Sequence, residues 1–343
     1  MHVSSFKTMF LIALACCAPL SISANAQETA TNAGSKIIVK PTSEPATAAN
    51  IKQLEKTNQD LSNAAEGADI AYGLYQRGLY LSAFATATKR AEKNDAAAQT
   101  LLGELYLNGQ GIEQNLEAAI SWYSLGAKGG NREAAFQLGF MYLDGIGTPK
   151  DKTKAAKYFM IAAEKGHVLG LYNVALMYIS GDPLEKSFKK AAPLMLQAAK
   201  GGNHDAQFAI AELHRLGNGV VKDEVLATLY YGQAARGGHD TEQIEYASRL
   251  LTGTGIGKDE DDAALWFVST AHKGNAIAQN RLAHLYRLGK GVPHDPVNAA
   301  SWHLISQKQG FEDEELDSYI KTLDDEALEM AKLKAEEWQP RVK

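Results

Sequence analysis

Glycine recurs in this chain at a fixed interval. Gly109, Gly145, Gly181, Gly217, Gly253 and Gly289 stand 36 residues apart without a break, and Gly130, Gly166, Gly202, Gly238, Gly274 and Gly310 repeat the interval in a second ladder. Ala119, Ala155, Ala191, Ala227, Ala263 and Ala299 form a third. Looser ladders run through Tyr106, Tyr142, Tyr178, His214, Leu250 and Tyr286, and through Trp122, Tyr158, Leu194, Tyr230, Trp266 and Trp302. Six copies of one unit therefore occupy about 95–310 with no net insertion. Compositional bias could not hold such a register. Self-similarity at this period marks a repeat architecture, in which each unit buries its apolar face only against its neighbours.

Each copy reads as two helices with explicit stops. Asn115, Asp151, Ser187, Asp223, Asp259 and Asp295 precede the second helical run, and each is a residue type whose side chain can accept from the free N–H groups of the first turn. Pro296 follows its cap at a position where a missing N–H costs nothing. The two glycine ladders fall just after helical runs, where a left-handed residue ends a helix. Gly103, Gly139, Ala175, Ala211, Ala247 and Ala283 lie mid-helix and predict close helix–helix approach. The Gly-rich turns at Gly109-Gln110-Gly111 and Gly253-Thr254-Gly255-Ile256-Gly257 join helix to helix, and no GxxxxGK[ST] occurs, so they are not phosphate loops.

The segment Gln137-Leu138-Gly139-Phe140-Met141-Tyr142-Leu143-Asp144-Gly145-Ile146-Gly147, followed by Asp151, Ala155-Ala156-Lys157-Tyr158-Phe159 and Ala162-Ala163-Glu164-Lys165-Gly166, resembles the Sel-1-like repeat, a relative of the tetratricopeptide repeat with a longer inter-helix loop. The resemblance implies an all-α, right-handed superhelical solenoid of about seven antiparallel helix pairs. Residues 51–94 predict an N-terminal helix beginning near Ile51 and a degenerate seventh copy marked by Ala71, Tyr72, Gly78, Ala83 and Ala91. The third repeat departs from the pattern with Pro183 where its neighbours have Gly147 and Gly219. Residues 311–343 predict a helical cap with a polar outer face; the alternative is an acidic partner-binding tail, since 312–337 hold eleven acids against three bases.

The two ends of the chain carry separate expectations. Lys7, the apolar run from Met9 to Ala15 and the small-x-small triplet Ala24-Asn25-Ala26 read as a signal peptide over 1–26, with cleavage before Gln27 and a periplasmic or extracellular destination. A lipoprotein reading through Leu14-Ala15-Cys16-Cys17 would leave Ala24-Asn25-Ala26 unused. Residues 27–50, rich in Thr, Ala, Ser and Pro, read as a disordered linker. No apolar run after residue 30 approaches the roughly 18–20 residues that span a bilayer. A net charge of −5 argues against nucleic acid as a partner, where a clustered basic surface is expected.

Catalytic constellations are sparse. Both cysteines, Cys16 and Cys17, lie in the predicted signal, so thiol nucleophiles, disulfides and zinc–thiolate sites are not expected in the mature chain. Ser187-Phe188-Lys189-Lys190 matches the S-x-x-K of penicillin-recognising enzymes, and some cysteine-rich members of the resembled family have been linked to β-lactams. Neither S-D-N nor K-T-G completes that site, and Ser187 already serves as a helix cap. The histidines fit no ligand spacing, and Asp259-Glu260-Asp261-Asp262 sits where the helix dipole favours acids. The expectation is a protein that is not an enzyme and uses no cofactor or metal.

A binding surface must then lie at positions the ladders leave free. Along the first helices these are Leu101, Gln137, Asn173, Glu245 and Arg281 at one offset, and Glu104, Phe140, Leu176, Glu212, Ser248 and His284 at another. Gln137, Phe140, Asn173, Leu176, Glu212, Glu245, Arg281 and His284 are the candidate partner-binding residues of a concave face. Phe140 and Leu176 either centre that groove or pack against adjacent helices; sequence alone leaves both open. The expected partner is a protein or peptide. The resemblance implies, as one form, restraint of a sensor kinase controlling exopolysaccharide synthesis, and, as another, a cell-wall or host-interaction role.

Overall fold

The computed structural model describes residues 69–341, and these form sixteen α-helices without a strand. The predicted signal peptide (1–26), the linker (27–50) and residues 51–68 lie outside the described residues. The degenerate copy contributes α1 (Ile70–Gln76) and α2 (Tyr80–Ala91), joined by a short turn at Gly78. Copies 1 to 3 follow as α3 (Ala96–Asn108) with α4 (Leu116–Lys128), α5 (Arg132–Asp144) with α6 (Lys152–Glu164), and α7 (Val168–Ser180) with α8 (Phe188–Lys200). Copies 4 to 6 are α9 (His204–Leu216) with α10 (Glu224–Ala235), α11 (Asp240–Thr252) with α12 (Glu260–His272), and α13 (Ala276–Leu288) with α14 (Pro296–Lys308). The cap is two helices, α15 (Glu314–Ile320) and α16 (Asp325–Glu337).

The predicted stops work as the residue types require. Each first helix of copies 1 to 6 ends on its ladder glycine in the left-handed conformation, with φ between 64° and 79°. Asn115, Asp151, Ser187, Asp223, Asp259 and Asp295 each accept a first-turn backbone N–H of the second helix. The first helices have a cap ladder of their own. Asp95, Asn131, His167, Asn203 and Asn275 accept from the first turn, whereas His239 makes no such bond.

From α1 to α15 helices pack in chain order, each against the next, and the first helices α1, α3 and α5 also touch in sequence, the geometry of the inner side of a curve. The mid-helix small residues allow the approach. A Cβ at Gly103 would stand 2.7 Å from the Tyr123 ring, and one at Gly139 2.6 Å from the Phe159 ring. The core is a column of buried side chains whose widest members are Tyr123, Phe159, Met195, Tyr231 and Phe267, one in each of copies 1 to 5 at a single register position of the second helix, where copy 6 has His303. At the C-terminal end α16 lies on α14, burying Ala331 and Ala335. Trp338 meets Trp302 edge-on at 6.1 Å, and the Arg341 N–H donates to the His272 carbonyl.

Candidate functional site

The eight candidate residues do not present one uniform surface. Glu212 is 8% exposed and turns inward, where one carboxylate oxygen accepts from the Tyr231 hydroxyl and both accept from the Arg215 guanidinium at 2.9 and 2.6 Å. Glu104, at the same offset, accepts from the Tyr123 hydroxyl at 3.2 Å and from the Tyr75 hydroxyl at 3.4 Å. Burial first, and then the neighbouring Glu104 charge, push the Tyr75 phenol up to about 12. Glu245 accepts from Arg249 Nε at 3.1 Å. His284 Nε2 lies 2.9 Å from the Asp313 carboxylate, in the turn that leads into the cap. Glu104, Glu212 and His284 thereby join neighbouring elements, while Glu245 bonds within α11.

Four candidates lie together on successive first helices. Phe140 on α5 and Leu176 on α7 are half-buried against the core of copies 2 and 3 and keep part of their apolar surface in solvent. Beside them Gln137 donates to Glu133 Oε1 at 2.9 Å and Asn173 donates to the Leu169 carbonyl at 2.8 Å, both within their own helices. Arg281 is exposed on α13, far along the chain from this group. Phe140 and Leu176 therefore pack against the core and keep an edge in solvent.

The same offset explains what fills it. The residue at 104, 140, 176, 212 or 248 stands 19 before the ring position at 123, 159, 195, 231 or 267 of the same copy. Glu104 and Glu212 face Tyr123 and Tyr231, while Phe140 precedes Phe159 and Leu176 precedes Met195. In copies 1 to 4 a carboxylate stands where a phenol needs an acceptor, and carbon where the second helix brings carbon; in copy 5 Ser248 precedes Phe267 and bonds to the Ile244 carbonyl. This follows from the rule that buried polar groups find partners. That pairing was present in the sequence as a fixed separation.

Two further residues break ladders. Arg249 occupies a register position held by Leu105, Met141, Met177, Leu213 and Leu285, and is 5% exposed. Its guanidinium donates to Glu224 Oε2 and Thr228 Oγ1, each at 3.0 Å, and lies 4.4 Å from the centre of the Tyr231 ring. The Arg249 hydrogen bond holds the Glu224 carboxyl below its usual range. Glu242 replaces Ala98, Ala134, Gly170, Ala206 and Ala278, and one of its buried oxygens has no hydrogen-bond partner. Burial pushes its carboxyl upward. Glu212, Arg215, Glu224, Tyr231, Glu245 and Arg249 form a charged seam across α9, α10 and α11.

The S-x-x-K pattern resolves into capping. Ser187 Oγ accepts the Lys190 backbone N–H at 3.3 Å, and the Lys190 ammonium lies 5.5 Å from the centre of the Tyr178 ring. Among the described residues no group of three or more His, Cys, Asp or Glu could hold a metal ion. Among them, too, no helix is long and apolar enough to cross a membrane.

The frame built from glycines and caps coincides with a known family unit. The Sel1 repeat matches at residues 96–131, 132–167, 168–203, 204–239, 243–275 and 276–311. The fifth match begins after Glu242, the residue that breaks the small-residue ladder. Among solved structures, a Sel1 repeat protein from Oxalobacter formigenes is 30% identical with a TM-score of 0.60, covering 70% of this chain and 98% of its own. A protective antigen of uropathogenic Escherichia coli, c5321, with an SLR fold, is 26% identical with a TM-score of 0.49, covering 76% of this chain and 64% of its own. Comparison with curated proteins found no match. The Sel1 repeat is a scaffold fold whose members bind protein partners. With six consecutive units in register, the chain belongs to the Sel1 repeat family.

Proposed function

We propose that the chain is a non-catalytic, exported adaptor that holds a protein or peptide partner on the first-helix face of copies 2 and 3. The observation that carries the reading is the half-exposed apolar pair Phe140 and Leu176, beside Gln137 and Asn173, where carboxylates at the same offset in copies 1 and 4 are spent on internal bonds. A large apolar side chain at the centre with polar groups around it is the usual anatomy of a recognition patch. Glu212 and His284 then act as supports of the scaffold, and Glu245 as a partner of Arg249 within α11. Export rests on Lys7, the apolar run after it and Ala24-Asn25-Ala26, and places the partner in the periplasm or outside the cell. Restraint of an envelope sensor kinase is the regulatory form of this reading.

The test is a photo-crosslinker placed at Gln137 in living cells. A partner should be captured by the wild type and lost when Phe140→Asp and Leu176→Asp are combined, with the helical circular dichroism retained. Retention of the captured partner in that double variant would move the interface off this face. Intact mass of the purified protein should show a start at Gln27 without lipid; acylation of Cys16 or Cys17 would overturn the cleavage site.

A further inference from the structure

The loop after each first helix carries a second glycine. Gly111, Gly147, Gly219, Gly255 and Gly291 all have φ between 65° and 74°. A Cβ would strike the Tyr80 side chain from Gly111, the Leu116 side chain from Gly147, the Phe188 backbone from Gly219, the Glu224 carbonyl from Gly255 and the Glu260 carbonyl from Gly291. Each loop thus rests on the first turn of the preceding copy's second helix. The copy-4 loop is anchored at its two ends, where the Asn218 and Asp223 N–H groups donate to the Leu213 and His214 carbonyls, both at 3.0 Å. Between those anchors residues 219–222 donate no backbone hydrogen bond to any of the described residues, and Val221 is 84% exposed. Few bonds and high exposure mark a segment that opens without the rest of the fold.

This loop also carries reactive chemistry. An asparagine followed by glycine can close on itself, because no side chain shields the glycine nitrogen from the asparagine Cγ. The chain has that pair twice, at Asn108-Gly109 and Asn218-Gly219, and the acid form at Asp144-Gly145. The fold separates them. Gly109 and Gly145 end α3 and α5, and their N–H groups donate to the Leu105 and Met141 carbonyls. A nitrogen whose proton is held by a carbonyl is not free to attack. Asn108 is held a second time, its Nδ2 donating to Glu104 Oε1 at 3.1 Å. Gly219, by contrast, lies two residues beyond the end of its helix, is exposed, and its N–H meets no backbone acceptor among the described residues. At the equivalent place copy 3 has Asp182 before Pro183, whose nitrogen bears no proton.

We propose that Asn218-Gly219 is a self-modifying site, at which the folded protein deamidates and loosens the junction between copies 3 and 4. Hydroxide takes the Gly219 amide proton, and the nitrogen attacks Asn218 Cγ. The Cγ–Nδ2 bond breaks, and Nδ2 takes a proton from water and leaves as ammonia. Water then opens the five-membered imide. Cleavage between the nitrogen and Cγ leaves aspartate, whereas cleavage between the nitrogen and the main-chain carbonyl leaves isoaspartate, whose main chain runs through Cγ and is one carbon longer. Both products carry a new negative charge, a covalent change that alters the local physics. Only the isoaspartate pushes on its neighbour. A Cβ on Gly219 would fall 2.4 Å from the carbonyl carbon and oxygen of Phe188, so the loop has no room for added length. The longer loop lifts off α8 and bares its first turn.

Peptide mapping by mass spectrometry tests this on the full chain, held folded in warm, mildly alkaline water enriched in heavy oxygen. Asn218 should exchange its amide nitrogen for one heavy oxygen and appear as two isomers. It should do so about tenfold faster than Asn108, the factor that a withheld backbone hydrogen bond supports. In urea, where neither pair is folded, that difference should disappear. Asn218→Thr, which installs the residue type of Thr254 at this position in copy 5, should abolish the modification with unchanged circular dichroism. Freshly prepared Asn218→Asp, which has the charge without the extra carbon, should resist trypsin at Lys189 and Lys190 as the unmodified wild type does, and the isoaspartate form should be cut there several-fold faster. An Asn218 that stays intact in the folded chain, or reacts no faster than Asn108, would overturn the site. Equal cleavage of the isoaspartate and aspartate forms in α8 would overturn the loosening.

Discussion

Between α5 and α8 the solenoid is filled with carbon. Phe159 and Met195 occupy the ring position, Phe140 and Leu176 stand 19 residues before them, and Ala135 and Leu171 face the preceding second helix. Between α9 and α12 the same register holds Tyr231 bonded to Glu212, and Arg249 bonded to Glu224 and Thr228. Here Gln207 and Gln243 donate to the Ala199 and Ala235 carbonyls at 3.2 and 3.1 Å. Both regions keep the 36-residue interval, the capping residue and the left-handed glycine. The frame is therefore set by backbone termini, and the core is free to change chemistry so long as each polar group finds a partner.

The comparison breaks most violently in the carbon block. Phe159→Ala should cost about 3–5 kcal/mol, because the closely packed α5 backbone at Gly139 cannot move in to fill the void. A urea-denaturation loss under about 1 kcal/mol would mean that this block is no better packed than the seam. Tyr231→Phe tests the seam by removing the hydroxyl that donates to Glu212, with a loss of about 1–3 kcal/mol expected in the same measurement. Phe267→Tyr, with Ser248 in place of a glutamate, supplies no carboxylate acceptor and should not stabilise.

Glu242 sharpens the contrast with a pH dependence. Its carboxyl is raised above the usual 4.5 by burial, so the folded protein binds this proton more tightly than the unfolded chain. Stability is then lost as pH rises from about 4.5 through the raised value. Glu242→Ala restores the ladder residue and should stabilise by roughly 1 kcal/mol at neutral pH and by little at pH 4, the cost of an unpartnered buried group being removed. Equal gains at both pH values would show that the charge is not the cause. The smallest change is expected for Arg249→Leu, within about 1 kcal/mol of wild type, since a buried ion network exchanged for fitting carbon is often neutral. A loss above about 3 kcal/mol would make Arg249 indispensable to the junction.

The fold was legible because its determinants are local and repeated. A cap such as Asp223 or a left-handed Gly217 acts within a few residues, so its meaning can be read in place and then checked in five other copies. The candidate face was legible only in part. Whether position 212 shows its carboxylate to a partner or spends it on Tyr231 depends on a contact 19 residues away, across the helix hairpin. Position 140 divides its ring between core and solvent, which no pattern of polar and apolar letters expresses. Arg249 and Glu242 were detectable as the odd members of otherwise apolar or small ladders. Their partners were not, because a broken ladder names the misfit without naming what satisfies it.

The loop glycines have a consequence for how the chain is made. Gly147, Gly219, Gly255 and Gly291 each press on the second helix of the copy before them, so a copy is completed by residues that lie later in the sequence. On the ribosome, where chains grow from the N-terminus at about 5–20 residues per second, the covering loop of each unit emerges some 2–7 s after the corresponding loop of the unit before it. Maturation then runs behind synthesis by one unit, and the last helix pair, α13 and α14, waits for α15 and α16 as substitutes for the loop it never receives. Nascent chains whose emerged part ends at Gly238 should protect α8 from proteolysis without protecting α10, and chains whose emerged part extends past Gly255 should protect both. Equal protection of α10 at the two arrest points would show that a unit needs nothing downstream to close.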